Sequence, residues 1–149
     1  MVAPDYMGMA FIEAEAAGRR GEVPVGAVVV DSAGTVLARA GNEIEERRDP
    51  TAHAEMLALR EACRTTGSPR LSDCDLYVTL EPCPMCAQAI AFARIRRVYY
   101  GAADPKGGGV DHGARIFAAP SCHHRPEVYG GIQEIRAAGL LKEFFATRR

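Results

Sequence analysis

The sequence predicts one α/β domain, a mixed sheet of five strands with helices on both faces. Three observations lead there. Segments of helical period alternate with short β-branched runs in the order α-β-β-α-β-α-β-β-α. The first two strands are parted only by the turn Asp31-Ser32-Ala33-Gly34. Such a hairpin departs from the parallel succession of a doubly wound nucleotide-binding fold. At 149 residues, the chain has the length of a single domain, taken as 1–149, that can bury ~70% of its unfolded surface.

Met7, Ala10, Phe11, Ala14 and Ala17 recur at helical spacing, and Gly18 to Gly21 stops that helix. Val25 to Val30 is an apolar run suited to a central strand buried on both faces. Val36 to Ala40 completes the hairpin, and Gly41-Asn42 ends it. Asp49-Pro50 reads as a cap followed by proline in a first helical turn, with Ala52, Met56, Leu59 and Cys63 as the buried face. Leu76 to Leu80 is a third strand, Pro84 opens a helix to about Ala93, and Arg97 to Tyr100 is a fourth strand. Lys106-Gly107-Gly108-Gly109 opens a long flexible loop without the Walker pattern of a phosphate cradle. Val128-Tyr129 supplies a short fifth strand, and Ile135, Ala138, Leu141 and Phe145 mark a last helix, with Gly139 a weak spot in it.

No stretch reaches the ~20 apolar residues of a membrane span. The opening Met1-Val2-Ala3-Pro4-Asp5 has no secretion-signal pattern, so the expected compartment is the cytoplasm. Five cysteines then read as metal ligands or buried thiols, not as a disulfide framework. A net charge of −1 gives the whole chain no strong nucleic-acid footprint. Yet all 18 cations except Lys106 and Lys142 are arginines, clustered at Arg19-Arg20, Arg47-Arg48, Arg94/Arg96/Arg97 and Arg148-Arg149. These are either solvated helix ends or a local RNA face, since the arginine fork suits phosphate.

The chemistry centres on Leu80-Glu81-Pro82-Cys83-Pro84-Met85-Cys86 together with His53-Ala54-Glu55. Catalytic zinc usually takes three protein ligands and keeps a fourth position for water, whose pKa falls to about 7. His53, Cys83 and Cys86 supply three. Residues two apart on a regular helix point roughly 200° from each other. Glu55 can therefore address the same point as His53 only at a helix start, where it serves as the proton shuttle and not as a ligand. A positioned acid/base of that kind is worth ~10²–10⁴-fold. A helix opening at Cys83-Pro84 aims free N–H groups at the thiolates and favours metal binding.

Other readings compete. A redox Cys-x-x-Cys leaves the His-x-Glu unexplained. A closed structural zinc needs a fourth ligand, for which Cys122-His123-His124 is the serious candidate and Cys74 a poor one. Cys63 and Cys74 read as buried thiols, and His112, in a glycine-bearing loop, needs no role.

The pattern H-x-E…P-C-x-x-C is the signature of zinc nucleobase deaminases. The match extends through Glu22 to Val28, Asn42, Asp49 to Glu55, Leu76 to Cys86, Ala93-Arg94-Ile95, Tyr100 to Lys106 and Phe144-Phe145 with Arg148-Arg149. In these blocks, which run through nearly the whole chain, the sequence resembles the bacterial tRNA-specific adenosine deaminases of the cytidine deaminase-like superfamily. Gly107 to Arg125 departs from the enterobacterial pattern. The resemblance implies the cytidine deaminase-like three-layer fold and conversion of wobble adenosine to inosine in the anticodon stem-loop of a tRNA, chiefly an arginine tRNA. It implies a homodimer with one Zn²⁺ per subunit, no organic cofactor and no membrane. It makes His53, Cys83 and Cys86 the zinc ligands and Glu55 the general acid/base. Asn42 and the backbone of Ala54 would hold the flipped base or ribose, and the backbone of Glu81 to Cys83 would lie near the attacked centre. Val23, Pro24 and Leu80 would line the pocket, while Asp104, Lys106, Phe145 and Arg148 would face the anticodon loop. The rivals are a free-base guanine or cytosine deaminase, which shares the zinc chemistry, and a zinc-stapled RNA-binding module without catalysis.

Overall fold

A computed structural model describes residues 4–148, so Met1 to Ala3 and Arg149 of the sequence expectations lie outside the described residues. The elements are α1 (Tyr6–Arg19), β1 (Gly26–Val30), β2 (Val36–Gly41), α2 (Ile44–Arg47), α3 (Ala54–Thr66), β3 (Asp75–Leu80), α4 (Pro84–Phe92), β4 (Arg97–Ala102), a 3₁₀ turn (Ile116–Ala118), β5 (Glu127–Tyr129) and α5 (Glu134–Ala146). The strands form one sheet in the order β2-β1-β3-β4-β5. β1 runs antiparallel to both β2 and β3, whereas β3, β4 and β5 are parallel. This is the expected mixed five-stranded sheet.

β1 is buried along its whole length, as its unbroken apolar run requires. Its side chains divide by the two-residue period of a strand. Val28 and Val30 pack with Met7, Phe11 and Ala137 under α1 and α5, while Ala27 and Val29 join Ala58, Leu76, Val78 and Ile90 under α3 and α4. Those two cores make the three layers. Tyr77, Tyr99 and Tyr129 stand in register on β3, β4 and β5 and stack with ring centroids 4.5 and 5.1 Å apart. Such cross-strand aromatic pairs fix the pairing of the parallel strands. Among the described residues no helix is long and apolar enough to cross a membrane.

Four sequence expectations change. The short helix α2 was not expected. Asp49-Pro50 does not cap α3: Asp49 Oδ1 accepts from the Thr51 N–H (2.8 Å) and hydroxyl (2.7 Å), closing a local turn. Helix α3 starts at Ala54, with His53 extended before it (ψ 149°). The donor its first turn leaves free is taken by a remote residue, as Asn42 Oδ1 accepts from the Ala54 N–H at 2.8 Å. In α5 the buried stripe is turned by about one residue from the expected one. Ala137 is buried, Leu140, Leu141 and Phe144 are half-buried, while Ile135 is 90% exposed and Phe145 51%. The glycine run is anchored: Gly108 and Gly109 are buried, with the Gly109 N–H donating to the Pro82 carbonyl (2.8 Å).

Candidate metal centre and active site

Two helix starts build the site. His53 immediately precedes α3, and its extended backbone lets the imidazole turn back towards the helix end while Glu55 points inward from the first turn. Cys83 is the N-cap of α4, Pro84 occupies the first helical turn, where it needs no donor, and Cys86 is carried in that same turn. This arrangement resolves the angular conflict of His53 and Glu55, because only one of them lies within the helix.

The ligand atoms of His53, Cys83 and Cys86 lie within 4.8 Å of one another, and among the described residues no other His, Cys, Asp or Glu joins or repeats this cluster. His53 Nδ1 is 3.6 Å from Cys83 Sγ and 3.5 Å from Cys86 Sγ. Bonds of about 2.3 Å to sulfur and about 2.0–2.1 Å to nitrogen at a tetrahedral angle separate S and N by about 3.6 Å. The donors are thus spaced for a tetrahedral zinc, with soft thiolates and an imidazole as the fitting set. Hydrogen bonding from Cys86, with His53 adding to it, pulls the Cys83 thiol down to about 4. Cys86 is raised, first by that same hydrogen bond and then by burial, and His53 is raised chiefly by Cys83. A divalent ion binds thiolates and neutral imidazole, so its binding would displace the protons these groups carry.

Glu55 is 4% exposed, and burial pushes its carboxyl up to about 7. A carboxyl poised there exchanges a proton readily near neutral pH. It lines a half-enclosed cavity of about 210 Å³ with Val23, Asn42, His53, Leu80, Cys83 and Asp104. Of the sequence candidates, Cys86 lies fully buried in the ligand cluster, and Ala54 is buried with its N–H held by Asn42. The other end of that amide is also engaged, Asn42 Nδ2 donating to the Val23 carbonyl at 3.1 Å. Asn42 therefore ties three parts of the pocket together: the Val23 strand approach, its own turn and the start of α3.

Pro24 lies outside this cavity. It lines a neighbouring groove of about 500 Å³ between α1 and α5, with Arg19, Phe144 and Arg148. The Arg148 guanidinium stacks on the Phe144 ring at 4.2 Å. Phe145 projects outward, and Lys106 is exposed near Asp104. The arginines of the other clusters are largely taken up by the fold. Arg96 grips Asp75 through two nitrogens at 3.0 Å, Arg97 pairs with Glu127 at 3.3 Å, Arg47 with Glu43 at 3.1 Å, and Arg20 donates to the Asn42 carbonyl. Arg97 opens β4, at the opposite end of the parallel strands from the metal ligands that follow β3.

The Cys122-His123-His124 segment takes no part in the cluster. Cys122 Sγ donates to the His124 carbonyl, and His124 Nε2 lies 2.6 Å from the Ile95 carbonyl oxygen. Cys74 is a buried thiol, pushed up to about 11 mainly by burial. Sequence reasoning missed His112, whose Nδ1 lies 2.7 Å from the buried carboxylate of Glu81.

The family model for the cytidine and deoxycytidylate deaminase zinc-binding region matches residues 2–102. The tRNA-specific adenosine deaminase of Agrobacterium fabrum is 56% identical over 144 residues, covering 97% of this chain and 94% of its own length. The chain belongs to the tRNA-specific adenosine deaminase family. A solved structure from work on A-to-I editing by tRNA:A34 deaminases at the wobble position aligns with a TM-score of 0.89 at 57% identity, over 91% of this chain and 98% of that one. A guanine deaminase from Bacillus subtilis is more distant, with a TM-score of 0.66 at 32% identity over 99% and 94% of the two chains. The chain thus shares its fold with a guanine deaminase.

Proposed function

We propose that this protein deaminates adenosine at the wobble position of a tRNA anticodon, chiefly that of an arginine tRNA, leaving inosine. The observation that carries this reading is the convergence of His53, Cys83 and Cys86 beside the buried Glu55 carboxyl, at a cavity with room for one nucleobase. His53, Cys83 and Cys86 would hold one zinc per chain. Zinc so held would supply a water with a pKa of about 7 as the nucleophile for C6 of the base. Glu55 would take one proton of that water and pass it to the ring nitrogen, then take the second from the oxygen added at C6 and hand it to the amine, which leaves as ammonia. Burial of Glu55 suits that cycle, because it raises the carboxyl and so opposes the low pKa that a neighbouring cation would impose. Val23 and Leu80 pack the flipped base, and Asn42, anchored by the Ala54 N–H, turns its remaining amide N–H to the edge of the base. A base in a single-stranded loop can be splayed into such a pocket without breaking a duplex.

The RNA face is Asp104, Lys106, Phe145 and Arg148, with Pro24 in the groove between α1 and α5. The exposure of Phe145 favours this role, because the fold does not use that ring as core. Arg148→Ala should raise KM for an anticodon stem-loop and reduce the slope of log affinity against log salt by about one. The loss is therefore largest at low salt, and steady-state kinetics across a salt series measures it. An unchanged KM and slope would assign Arg148 to packing on Phe144.

The protein is expected to act as one domain over 1–149, as a homodimer in the cytoplasm. The apolar groove of Met56, Leu59, Cys63, Ala89 and the 71%-exposed Phe92 between α3 and α4 suits a second copy. Its five cysteines are free thiols, which fits a reducing compartment. To test the tRNA assignment, purified protein is incubated with total tRNA and the wobble positions are sequenced. Conversion of the arginine tRNA first, read as guanosine, is expected; preferential conversion of another tRNA would overturn that assignment.

A further inference from the structure

The segment between β4 and the 3₁₀ turn is wrapped around a single buried carboxylate. The side chain of Glu81 is fully enclosed. Its Oε1 accepts from the Asp104 N–H at 3.0 Å and stands 2.7 Å from His112 Nδ1. Its Oε2 accepts from three successive N–H groups, those of Val110 (3.2 Å), Asp111 (2.9 Å) and His112 (3.0 Å). Consecutive backbone donors converging on one anion form a nest of the kind that binds phosphate. Here the anion belongs to the chain itself.

The glycine run makes this approach feasible. A Cβ on Gly108 would stand 2.6 Å from Glu81 Oε2 and 2.5 Å from the Asp104 carbonyl oxygen, and one on Gly109 2.5 Å from Pro84 N. Burying a carboxylate is costly unless its lone pairs are satisfied, and five donors do satisfy it. Filling the same space needs no charge. The ligand cluster does not include Glu81.

The two ends of the clamp show what it connects. On one side is the ribbon Leu80–Cys83, which supplies a pocket wall and a metal ligand; on the other is Asp104, which lines the same cavity, followed by exposed Lys106. We propose that Glu81 and His112 form a positioning pair that fixes the Asp104–Lys106 wall against the metal-binding ribbon. The pair thereby sets how the nucleotides flanking the flipped base are held. This inference rests on the tRNA reading above.

The test measures kcat and KM on an anticodon stem-loop bearing A34, together with zinc per chain and Tm. Glu81→Gln places amide hydrogens against backbone donors in either orientation. Loss of hydrogen bonds to a charged group should raise KM about tenfold or more, with zinc retained and kcat changed far less. His112→Ala should raise KM in the same direction. His112→Asn, whose Nδ2 can stand where Nδ1 stood, should restore KM to near the wild-type value. A merely structural role would lower Tm or zinc content but leave KM of the zinc-loaded enzyme unchanged, which overturns the inference. Should Glu81→Gln not fold, the half-exposed His112 variants decide by the same criterion. Wild-type protein inert on the stem-loop would sink the tRNA reading and this inference with it. Active wild type with unaltered His112→Ala kinetics overturns the inference alone.

Discussion

Glu55→Ala should remove deamination while the chain keeps its zinc and its fold. The carboxyl is not among the three converging ligand atoms, so zinc content should remain at the wild-type level. The chemical step loses the group that carries the proton from nucleophile to base nitrogen and amine, a loss of ~10²–10⁴-fold for one positioned acid/base. Two proton transfers depend on Glu55, so the upper end is expected. Stability should not fall in parallel. Burial disfavours the ionised form of this carboxyl, so the fold gains little from it. Glu55→Gln, which keeps the volume but cannot cycle a proton, should be as inactive as the alanine variant and at least as stable as wild type. Inosine formation, zinc analysis and thermal melting of the two variants check this. Glu55→Gln within tenfold of wild-type activity would assign the proton transfer elsewhere.

Cys86→Ser has the second large effect, and it differs in kind. Cys86 is fully buried in the first turn of α4 and would contribute one of the two sulfur ligands. A serine hydroxyl stays protonated and binds zinc poorly, so metal and activity should be lost together. Because the ligands must be held together to bind, zinc binding free energy adds to folding stability. A chelator should accordingly lower the Tm of wild type towards that of Cys86→Ser and leave the variant unmoved. Cys74→Ser and Cys122→Ser are the contrasting cases. Both thiols are buried away from the cluster, so both variants should bind zinc normally. Loss of zinc on replacing Cys122 or His124 would instead indicate a closed, four-ligand structural site.

What the sequence conveyed and what it concealed divide along the range of the interactions. The order of elements, the buried β1 and the His53/Cys83/Cys86 set follow from local pattern and ligand chemistry. The start of α3 does not, because its Ala54 N–H is taken by Asn42, twelve residues upstream, and Asp49 satisfies a turn of its own. The phase of α5 is not legible in the sequence because its apolar residues exceed one stripe. Only the packing on β4 and α1 decides that Ala137 turns inward and Phe145 outward. The glycine run reads as a flexible loop because nothing local reveals that the N–H groups just after it, those of Val110, Asp111 and His112, close on a glutamate more than twenty residues earlier. His112 lost its role for the same reason. The Arg94/Arg96/Arg97 cluster looked open to RNA until Asp75 and Glu127, brought alongside by strand pairing, accounted for Arg96 and Arg97.

The central claim is that an open zinc site acts on a base presented by an RNA loop. The most direct test compares kcat/KM for an A34 anticodon stem-loop, free adenosine and free guanine with one zinc-loaded preparation. The stem-loop should be favoured by about 10³-fold or more, because binding energy from the flanking nucleotides is used to hold the base at the reacting centre. Comparable turnover of guanine or free adenosine would contradict the account and place the protein's activity with the free-base deaminases that share its fold.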